Sequence, residues 1–391
     1  MIKKIAVTGT KGKSTTLRLL QAGFMDLQYN VYGTFGVDGY YYNNQLVRPG
    51  DSCKDYLEID QLKYPSDIHL MEATSFTLKH GIFDSVQLDC ALFTSFDETE
   101  HSEIHPGGDY IQSKRKIFSL LKDGARAIVC RDIKQYNEIV DGYESRIISY
   151  GFHPESDYVL GMNLISQEKM IFSLNFEENS LFFKSRILGS FNALNIAAAW
   201  IAARVLEQDE IKFFRSMESF SGFAGRMERY RIPKISTDVV IDYAHTNESL
   251  EVLLQTCRDI YPDRQIITIF GCGGDKSKEK RSKMGKTSEK LSNLSILTND
   301  NPRSEAPLDI IADIISEIEN KDSFHVIADR SEAIKSCLNR SRGCVIVIAG
   351  KGAEHEITIG DRVFYHNDRE CLIEWCYQNN LTLVNMCNPE I

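Results

Sequence analysis

The chain has 391 residues, and 42% of them are hydrophobic, which is enough for two or three domains with cores of ordinary size. Its formal net charge of −10 excludes a typical nonspecific nucleic-acid-binding protein, because such binding depends on basic residues that neutralise phosphates. No apolar run approaches the roughly 20 residues of a membrane span, and no secretory signal precedes the first predicted strand. The ten cysteines show no metal-binding spacing, so we expect reduced thiols in a cytoplasmic protein.

The first fifteen residues predict a phosphate-binding turn. Residues 2–7 are typical of a short buried strand, and apolar residues recur at helical spacing soon afterwards. Between them stands TGTKGKST, residues 8–15, whose backbone N–H groups, lysine and hydroxyls can hold phosphate and Mg²⁺. This is a shortened P-loop, because Val7 stands where the ordinary motif has its first glycine. A flexible turn before a helix is the alternative, but it does not account for the Lys-Ser-Thr sequence.

Strand and helix patterns alternate along the chain and predict an α/β protein. Strand-like runs occur at 68–71, 90–94, 127–130 and 147–150, with a helix at 110–121. Residues 158–164, 169–176 and 181–188 alternate like antiparallel strands, which are expected to form a small side sheet. A second α/β series begins near residue 222. We therefore predict a P-loop, parallel-sheet ATPase domain over residues 1–221 and a Rossmann-like α/β domain over residues 222–391.

Polar residues that directly follow predicted strands mark candidate ligand sites, because α/β sheets bind ligands at the carboxyl ends of their strands. Glu72 ends one strand and can hold Mg²⁺, although a solvated loop glutamate is the alternative. Residues 97–105 contain four acids and two histidines, which indicate either a cluster of hard metal ligands or an ordinary polar loop.

Two further sets of residues lie at helical spacing. Tyr110 and Lys114 are one turn apart on one helix face, where a lone lysine is normally solvated. Asn192 and Asn195 also share a face, directly after Phe191, which can stack on a base. A packing helix with an asparagine near its start is the alternative interpretation.

Ten short motifs, taken in order, make the chain resemble the Mur ligase family. They are TGTKGKST, MEATS, FTSF…EHSEIH…YIQSK, GSFNALN, GRME, DYAHT, FGCGGDKSKEKR, TNDNPRSE, DR and GKGAE, from about residue 5 to residue 370. The order is most similar to the MurE branch, whose members add the third amino acid of the peptidoglycan stem peptide. The resemblance implies an ATP-dependent ligase that converts a carboxylate to an acyl phosphate and couples it to an amine.

By this resemblance, ATP and Mg²⁺ are held by two sets of residues. The phosphates and the nucleoside would contact Thr10, Gly12, Lys13, Ser14, Thr15, Phe191, Asn192, Asn195, Arg226 and Asp242. The metal ligands would be Ser14, Glu72, His101 and Lys114, the last after carbamylation by CO₂. Catalysis would depend on Lys13, His101, Lys114 and Arg226. The loop pattern around His101 departs from the family by one inserted residue and a glutamate in place of an aspartate.

The second half carries the residues that the resemblance assigns to the amino acid. Asp300-Asn301-Pro302-Arg303 matches the DNPR signature of enzymes that select meso-diaminopimelate, whose distal carboxylate a guanidinium can bind through two hydrogen bonds. Gly350 and Glu354 stand in the matching GKGAE motif, with Glu354 facing the distal ammonium. Lys276 replaces an arginine that holds the carboxylate of the reacting end.

The expected partners are a small-molecule amino acid and a carboxylate acceptor, with neither nucleic acid nor a membrane span. Members of the MurE branch carry a UDP-sugar domain before the P-loop. The P-loop begins here at residue 8, so we expect that domain to be absent. The acceptor is then either a nucleotide-linked peptide, a smaller peptide, a carrier-bound acid or a natural-product precursor.

Two other functions are compatible with parts of the sequence. A folylpolyglutamate-synthase-like ligase would add glutamate, but DNPR and GRME disfavour it. A non-catalytic nucleotide-binding subunit would not need the second metal site that Lys13, Glu72, His101 and Lys114 imply.

Overall fold

The structure is a computed structural model. It describes residues 2–36, 39–48, 50, 62–97 and 109–387. The chain divides into two units, residues 1–164 with 169–220, and residues 165–168 with 221–391.

The first unit is built on one large sheet. Its strands are β1 Lys3–Thr8, β2 Val31–Thr34, β3 Tyr40–Tyr42, β4 Gln45–Arg48, β5 Ile68–Glu72, β6 Leu88–Phe93, β7 Leu121–Cys130, β8 Ile147–Gly151, β9 Tyr158–Ile165, β10 Met170–Phe176 and β11 Asn179–Ser185. Its helices are α1 Lys13–Asp26, α2 Ser75–Lys79, α3 Asp109–Arg115, α4 Tyr136–Val140, α5 Ser190–Val205 and α6 Glu210–Ser219. The strand order is β11-β10-β9-β8-β7-β6-β1-β5-β2-β3-β4.

Strand β1 is central to this sheet. It pairs in parallel with β5 on one side and with β6 on the other. Ile5, Ala6 and Val7 are fully buried, which explains why the strand is continuously apolar rather than alternating. Helix α1, which follows the strand, packs against β5, α5 and α6.

The three strands expected to form a separate side sheet extend the main sheet instead. β10 and β11 pair antiparallel, as their alternating pattern predicts. β9 joins β8 in parallel through the pairs Tyr150–Tyr158 and Gly151–Val159. The predicted helix over residues 110–121 is also shorter, because α3 ends at Arg115 and a 3₁₀ turn, Lys116–Leu120, leads into β7.

The second unit contains a seven-stranded sheet and a separate hairpin. Its strands are β12 Glu228–Ile232, β13 Thr237–Asp242, β14 Ile266–Phe270, β15 Leu294–Leu297, β16 Phe324–Val326, β17 Val345–Ala349, β18 Glu356–Ile359, β19 Arg362–Tyr365 and β20 Val384–Asn385. Its helices are α7 Asn247–Ile260, α8 Glu279–Leu291, α9 Pro307–Ile315, α10 Arg330–Arg340 and α11 Asp368–Gln378. The sheet order is β16-β15-β14-β17-β13-β12-β20, and β18 pairs with β19 alone.

Helices α10 and α11 cover part of this sheet and begin at capped ends. Leu372 and Trp375 of α11 belong to the same buried cluster as Ile346 and Ile348 of β17. The Asp329 side chain accepts from the third N–H of α10, at Glu332, and Asn367 caps α11 in the same way. These caps satisfy N–H groups that the first helical turn leaves unpaired and fix where each helix begins.

Candidate active site

Three parallel strands of the first unit end side by side at one edge of the sheet. β1 pairs with β5 so that Val7 lies beside Glu72, and with β6 so that Thr8 lies beside Phe93. The loops that follow these strands therefore leave the sheet at the same edge, which is where open α/β sheets bind ligands. They carry the phosphate-binding turn, the end of β5 with Glu72, and the segment that begins at Thr94.

The phosphate-binding turn is held in shape by the loop that follows β6. The Lys11 N–H donates to Ser95 Oγ at 2.7 Å, and the Thr94 hydroxyl donates to the Lys11 carbonyl at 2.6 Å. The Thr10 N–H donates to the Ser95 carbonyl at 2.9 Å. Neighbouring backbone and hydroxyl groups thus fix the conformation of the turn.

Gly12 is the residue at which the turn enters helix α1. Its φ of 83° lies in the left-handed region that favours glycine. A Cβ atom on Gly12 would lie 2.5 Å from Asn195 Oδ1, because a side chain of α5 approaches the turn closely. The turn therefore needs glycine here for two separate reasons, backbone conformation and space.

The first turn of α1 brings Lys13 and Ser14 to the carboxylate that ends β5. The Lys13 ammonium lies 3.8 Å from Glu72 Oε1, and the Ser14 hydroxyl donates to Glu72 Oε2 at 3.4 Å. Lys13 also donates to the carbonyls of Gly9 and Thr10, both at 3.0 Å. The separation of the two oxygen ligands is close to the roughly 3 Å between neighbouring oxygens around an octahedral Mg²⁺, so these residues fit that ion.

Lys114 is buried, with 2% of its surface exposed, and its ammonium donates to the Gly9 carbonyl at 2.9 Å. The same ammonium lies 4.9 Å from the centre of the Tyr110 ring, one turn earlier on α3. Tyr110 forms a 3.1 Å hydrogen bond with Thr10 Oγ1 and stacks on Phe96. Helix α3 therefore carries Lys114 against the phosphate-binding turn rather than into solvent.

The predicted metal ligand His101 lies outside the described residues, together with the rest of residues 98–108. Within the described ranges, no three His, Cys, Asp or Glu side chains are close enough to hold a metal ion by themselves. A Mg²⁺ ion at the end of β5 would therefore complete its coordination with phosphate oxygens and water, as this ion commonly does. Four of the predicted residues lie around the turn, namely Lys13, Ser14, Glu72 and Lys114.

The two asparagines of α5 are buried and engaged within the first unit. Asn195 Oδ1 accepts from the Thr16 hydroxyl at 3.3 Å, and the Asn195 amide donates to Asn192 Oδ1 at 3.2 Å. The Asn192 amide donates to the Leu188 carbonyl at 2.8 Å. Their contact with ATP stays a prediction, as does that of the half-buried Phe191 at the start of the helix.

In the second unit, Asp242 ends β13 and hydrogen-bonds the segment that directly precedes β12. Its carboxylate accepts from the N–H groups of Met227 at 2.7 Å and Ala244 at 2.8 Å. The Arg226 guanidinium lies 4.4 Å from the centre of the Tyr243 ring. These contacts place Arg226 and Asp242 near each other, and their roles toward ATP stay predictions.

Glu354 lies in the loop after β17 and is surrounded by donors of its own unit. Its Oε2 accepts from the Lys351 ammonium at 2.9 Å and from the Asn301 amide at 3.2 Å. Burial first, then the Glu354 charge, raises the pKa of Tyr243. Since a carboxylate offers about four acceptor sites, room remains for a donor from a ligand.

Asp300 and Gly350 mark the place where two loops of the second unit meet. A Cβ atom on Gly350, whose φ is 115°, would lie 2.7 Å from Asp300 Oδ2. That oxygen is buried and lacks a hydrogen-bond partner among the residues described. Since a buried acceptor without a partner is costly, a ligand donor at this position would be stabilising.

Arg303 has a left-handed backbone conformation, with a φ of 51°, which is uncommon for residues other than glycine. The β18–β19 hairpin fixes it, because the Arg303 N–H donates to the Thr358 carbonyl at 3.0 Å and the Gly360 N–H donates to the Arg303 carbonyl at 2.6 Å. One terminal nitrogen of its guanidinium donates to the Gly274 carbonyl at 2.7 Å. Lys276 lies on the same loop as Gly274 and is exposed.

Two buried arginines of this unit were not singled out as site residues from the sequence. Arg281 donates to both carboxylate oxygens of Glu305, at 2.8 and 2.7 Å, and lowers the pKa of Glu305 to about 2. Arg330 forms a fully buried ion pair with Asp368 at 2.7 Å. The partners of these arginines lie 24 and 38 residues away in the chain, so no local sequence pattern reveals the pairs. The Asp-Arg motif was the one sequence signal that included Arg330.

Two sequence profiles match the chain. The Mur ligase middle domain matches residues 7–203, and the glutamate ligase domain of Mur ligases matches residues 225–352. The chain belongs to the Mur ligase family. It is therefore an ATP-dependent ligase that forms C–N bonds, and the family, fold class and enzyme class predicted from the motifs are confirmed.

This Mur ligase is similar to two bacterial relatives named UDP-N-acetylmuramoyl-L-alanyl-D-glutamate--2,6-diaminopimelate ligase. It is 32% identical over 387 residues to that of Syntrophomonas wolfei, covering 95% of this chain and 78% of the relative. It is 28% identical over 389 residues to that of Listeria monocytogenes, covering 94% of this chain and 77% of the relative.

Solved structures agree with this assignment. A structure of a UDP-N-acetylmuramoyl-L-alanyl-D-glutamate--2,6-diaminopimelate ligase has a TM-score of 0.68 at 27% identity, covering 97% of this chain and 79% of that chain. The folylpolyglutamate synthase of Mycobacterium tuberculosis, complexed with ADP, has a TM-score of 0.71 at 15% identity, covering 89% and 88%. At that identity the second likeness concerns the fold alone. Within the described residues, no helix of the Mur ligase is long and apolar enough to cross a membrane.

Proposed function

We propose that this Mur ligase adds meso-diaminopimelate, or a similar diamino diacid, to the carboxylate of a peptide or a nucleotide-linked peptide. The residue set Asp300-Asn301-Pro302-Arg303 is the single observation that carries the choice of amino acid. The diaminopimelate-ligase names of the relatives support the same choice. Because the reaction consumes ATP, we place it in the cytoplasm.

The proposal divides the reaction between the two parts of the chain. Residues 1–221 bind ATP and activate the acceptor, and residues 222–391 bind the amino acid. A carboxylate is a poor electrophile, so transfer of the γ-phosphoryl group of ATP to it creates an acyl phosphate with phosphate as leaving group. Attack by the amine then forms the amide bond and releases phosphate. The negative charge that develops during both steps requires fixed cations nearby.

Lys13 and Ser14 support the assignment of the phosphate site. In our proposal Lys13 exchanges its contacts with the Gly9 and Thr10 carbonyls for the β- and γ-phosphates of ATP. Ser14 and Glu72 would hold one Mg²⁺, whose chemistry there is to neutralise phosphate charge. Arg226 would contribute a further cation to phosphate binding.

Lys114 supports a second anionic position beside the turn. Its ammonium would first lose one proton, and attack of the free amine on CO₂ would then form a carbamate and release a second proton. An anion would thereby replace a cation. The carbamate nitrogen keeps one N–H group, so the hydrogen bond to the Gly9 carbonyl is compatible with the modified side chain. Together with His101, the carbamate would provide ligands for a second Mg²⁺.

The amino-acid site is proposed from complementary charges. One terminal nitrogen of Arg303 donates to the Gly274 carbonyl. The other guanidinium N–H groups can then donate to the distal carboxylate of a diamino diacid. Glu354, Asp300, Asn301 and the Gly350 loop would receive the distal ammonium. Lys276 is exposed and would contact the carboxylate at the reacting end.

The test is release of inorganic phosphate from ATP with a matched panel of amines and acceptors. The amines are meso-diaminopimelate, L-lysine and L-glutamate, and the acceptors are UDP-N-acetylmuramoyl-dipeptide, the free dipeptide and a pteroylglutamate. We expect phosphate release that depends on both an acceptor and meso-diaminopimelate, with a product mass equal to their condensation.

Each alternative function gives a different result in this panel. Preference for L-glutamate with a pteroylglutamate acceptor would favour the folylpolyglutamate-synthase-like function. ATP binding without phosphate release under any combination would favour a non-catalytic subunit and contradict the ligase proposal.

A further inference from the structure

Arg330 contacts the ends of two strands that are not neighbours in the second unit. One terminal nitrogen of Arg330 donates to the carbonyl of Ala349, the last residue of β17, at 2.9 Å. The other donates to the carbonyl of Asn299, just after β15, at 3.4 Å. Since β14 lies between these two strands, a single side chain spans three strands at their carboxyl ends.

Asp368 holds the Arg330 guanidinium in place. It accepts from Nε and from a terminal nitrogen, each at 2.7 Å, which is the two-point geometry that a planar guanidinium favours. His366 hydrogen-bonds the same carboxylate at 2.8 Å. Although burial alone would raise it, the pKa of Asp368 is lowered far below its ordinary value by Arg330 and then by His366. Arg330 and Asp368 are the first residues of α10 and α11, so two capped helices orient the pair.

The two carbonyls that Arg330 contacts lead directly into the two loops proposed to bind the amino acid. Asn299 precedes Asp300, and Ala349 precedes Gly350. Those loops touch where a Cβ atom on Gly350 would lie 2.7 Å from Asp300 Oδ2. A small change in the distance between the strand ends would therefore separate the groups that face a ligand.

The stability of the fold alone does not explain this pair. A buried ion pair costs desolvation that often offsets its attraction, and well-packed apolar residues commonly stabilise a fold as well. Apolar residues cannot, however, hold two backbone carbonyls at a fixed separation. The contacts of Arg330 with the two carbonyls therefore indicate a role in positioning the strand ends rather than a role in stability alone.

We propose that Arg330, oriented by Asp368, is a positioning residue that sets the spacing of the Asn299–Arg303 and Gly350–Glu354 loops for amino-acid binding. This inference rests on the proposed function, in which those loops bind the amino acid. Arg330 itself is not expected to touch the substrate, because it is buried behind the loops.

Arg264 provides a matched control in the same unit. It pairs with the buried Asp238 and donates to the Cys344 carbonyl at 2.6 Å, just before β17 begins. Arg264 therefore joins a carboxylate and a carbonyl at the amino end of the strand whose carboxyl end Arg330 contacts. An Arg→Lys change at either position keeps the charge but removes the planar guanidinium, whose different nitrogens contact the carboxylate and the carbonyls.

The experiment measures KM for the amino acid and for ATP in the full-length chain, by phosphate release, for Arg330→Lys, Asp368→Asn and Arg264→Lys. We expect the first two variants to raise the amino-acid KM by about tenfold or more, since a misplacement of about 1 Å can cost up to a hundredfold. KM for ATP should change less than about twofold, and Arg264→Lys should leave both values unchanged. Fluorescence of Trp375, measured in a Trp200→Phe background, reports whether the second unit is folded.

Several outcomes would overturn the inference. One is an amino-acid KM in folded Arg330→Lys and Asp368→Asn no higher than in Arg264→Lys. Another is an equal rise of both KM values, which would indicate a general structural role. Loss of folding in Arg330→Lys leaves Asp368→Asn as the deciding variant, and loss of folding in both would likewise assign the pair to stability. Wild-type protein without amine-dependent phosphate release would instead remove the proposed function, and the inference with it.

Discussion

Lys13 and Lys114 donate to the same carbonyl oxygen, that of Gly9, at 3.0 and 2.9 Å. The two lysines come from different helices, α1 and α3, that lie about a hundred residues apart in the chain. Two ammonium groups at one oxygen repel each other, so the arrangement favours an anion nearby or the conversion of one lysine to an anion. A nucleotide phosphate would supply the first, and carbamylation of Lys114 would supply the second.

Substitution of Lys114 by Ala tests the second possibility. We expect kcat to fall by at least about a hundredfold, because the loss of the carbamate removes a ligand of the second Mg²⁺, and with that ion a cation near the developing negative charge. Added short carboxylic acids should restore part of the activity, since a carboxylate can occupy the position of the lost carbamate. The measurement is phosphate release by Lys114→Ala with and without acetate, propionate or chloride at equal ionic strength.

Lys116→Ala is the control for this experiment. Lys116 lies two residues further on and pairs at 2.6 Å with Asp84 at the surface. Its loss should leave kcat unchanged and give no response to carboxylic acids. Full activity of Lys114→Ala, or rescue by chloride as strong as rescue by carboxylates, would contradict the carbamate role.

Gly12→Ala should damage nucleotide binding more than it damages stability. The new methyl group meets both a left-handed backbone conformation and the Asn195 side chain at 2.5 Å. The backbone strain is expected to cost about 1–2 kcal/mol of unfolding free energy. The displaced turn should raise KM for ATP by about tenfold, since phosphate binding depends on the positions of its N–H groups.

Gly142→Ala separates the effect of backbone strain from the effect of contact with Asn195. Gly142 has a similar φ of 78°, but an added Cβ atom there would meet nothing within 4 Å. We expect a comparable loss of stability, measured by denaturant unfolding, with KM for ATP unchanged. An equal rise of KM in both variants would show that contact with Asn195 is not what makes Gly12 necessary.

The parts of the site that the sequence predicted are the local ones. The strand, turn and helix around Lys13 form from contiguous residues, so the local pattern predicted them. Spacing placed Lys114 one helical turn after Tyr110, but the family resemblance was needed to single it out as a site residue. Glu72 was found because it ends an apolar strand. Their convergence on one edge then follows from the parallel pairing of β1 with β5 and β6.

The parts that were missed depend on distant partners or on weak patterns. Arg330 pairs with Asp368 across 38 residues that include the β18–β19 hairpin, and neither residue is marked by periodicity. The sequence shows no clear helical pattern over α8, because few of its buried residues are apolar, Met284 among them. The strands β9 to β11 alternate as an antiparallel sheet does, yet nothing local predicts that β9 pairs with β8.

His69 should make the first unit sensitive to acid. It is 1% exposed, and its Nε2 has no hydrogen-bond partner in the described ranges. Burial, assisted by the Lys4 charge, lowers the pKa of His69 to about 3. His69 is therefore protonated near pH 6.5 in the unfolded chain but only near pH 3 in the folded chain. Because protonation favours the unfolded state between these two values, the free energy of unfolding falls as the pH drops through this window.

The expected slope is about 1.4 kcal/mol per pH unit from this group between roughly pH 6 and pH 3. His69→Leu should remove it and leave stability at pH 7 equal or higher, since an unpartnered buried nitrogen is lost as well. Trp200 fluorescence in a Trp375→Phe background reports unfolding of the first unit alone. Replacing the exposed His80 by Gln controls for the loss of one imidazole, and an unchanged slope in His69→Leu would refute the assignment.

Arg303→Lys tests which end of the amino acid the second unit recognises. Lysine can adopt the same left-handed backbone conformation and keeps the positive charge, so the substitution isolates the two-point geometry of the guanidinium. We expect KM for meso-diaminopimelate to rise about 10- to 100-fold, the usual worth of a hydrogen bond to a charged group. KM for L-lysine, which lacks the distal carboxylate, should change little, so the preference between the two amines should largely disappear.

The matched control for this change is Arg362→Lys. Arg362 is exposed on β19 and lies opposite Ile359, the hairpin residue that bridges to Arg303. It shares the hairpin but not the loop that carries Arg303, so neither KM should change. A similar rise of KM for both amines in Arg303→Lys would mean that this arginine contacts a group common to the two, such as the carboxylate at the reacting end. The distal carboxylate would then need a different partner, and Lys276 is an exposed cation on the adjacent loop.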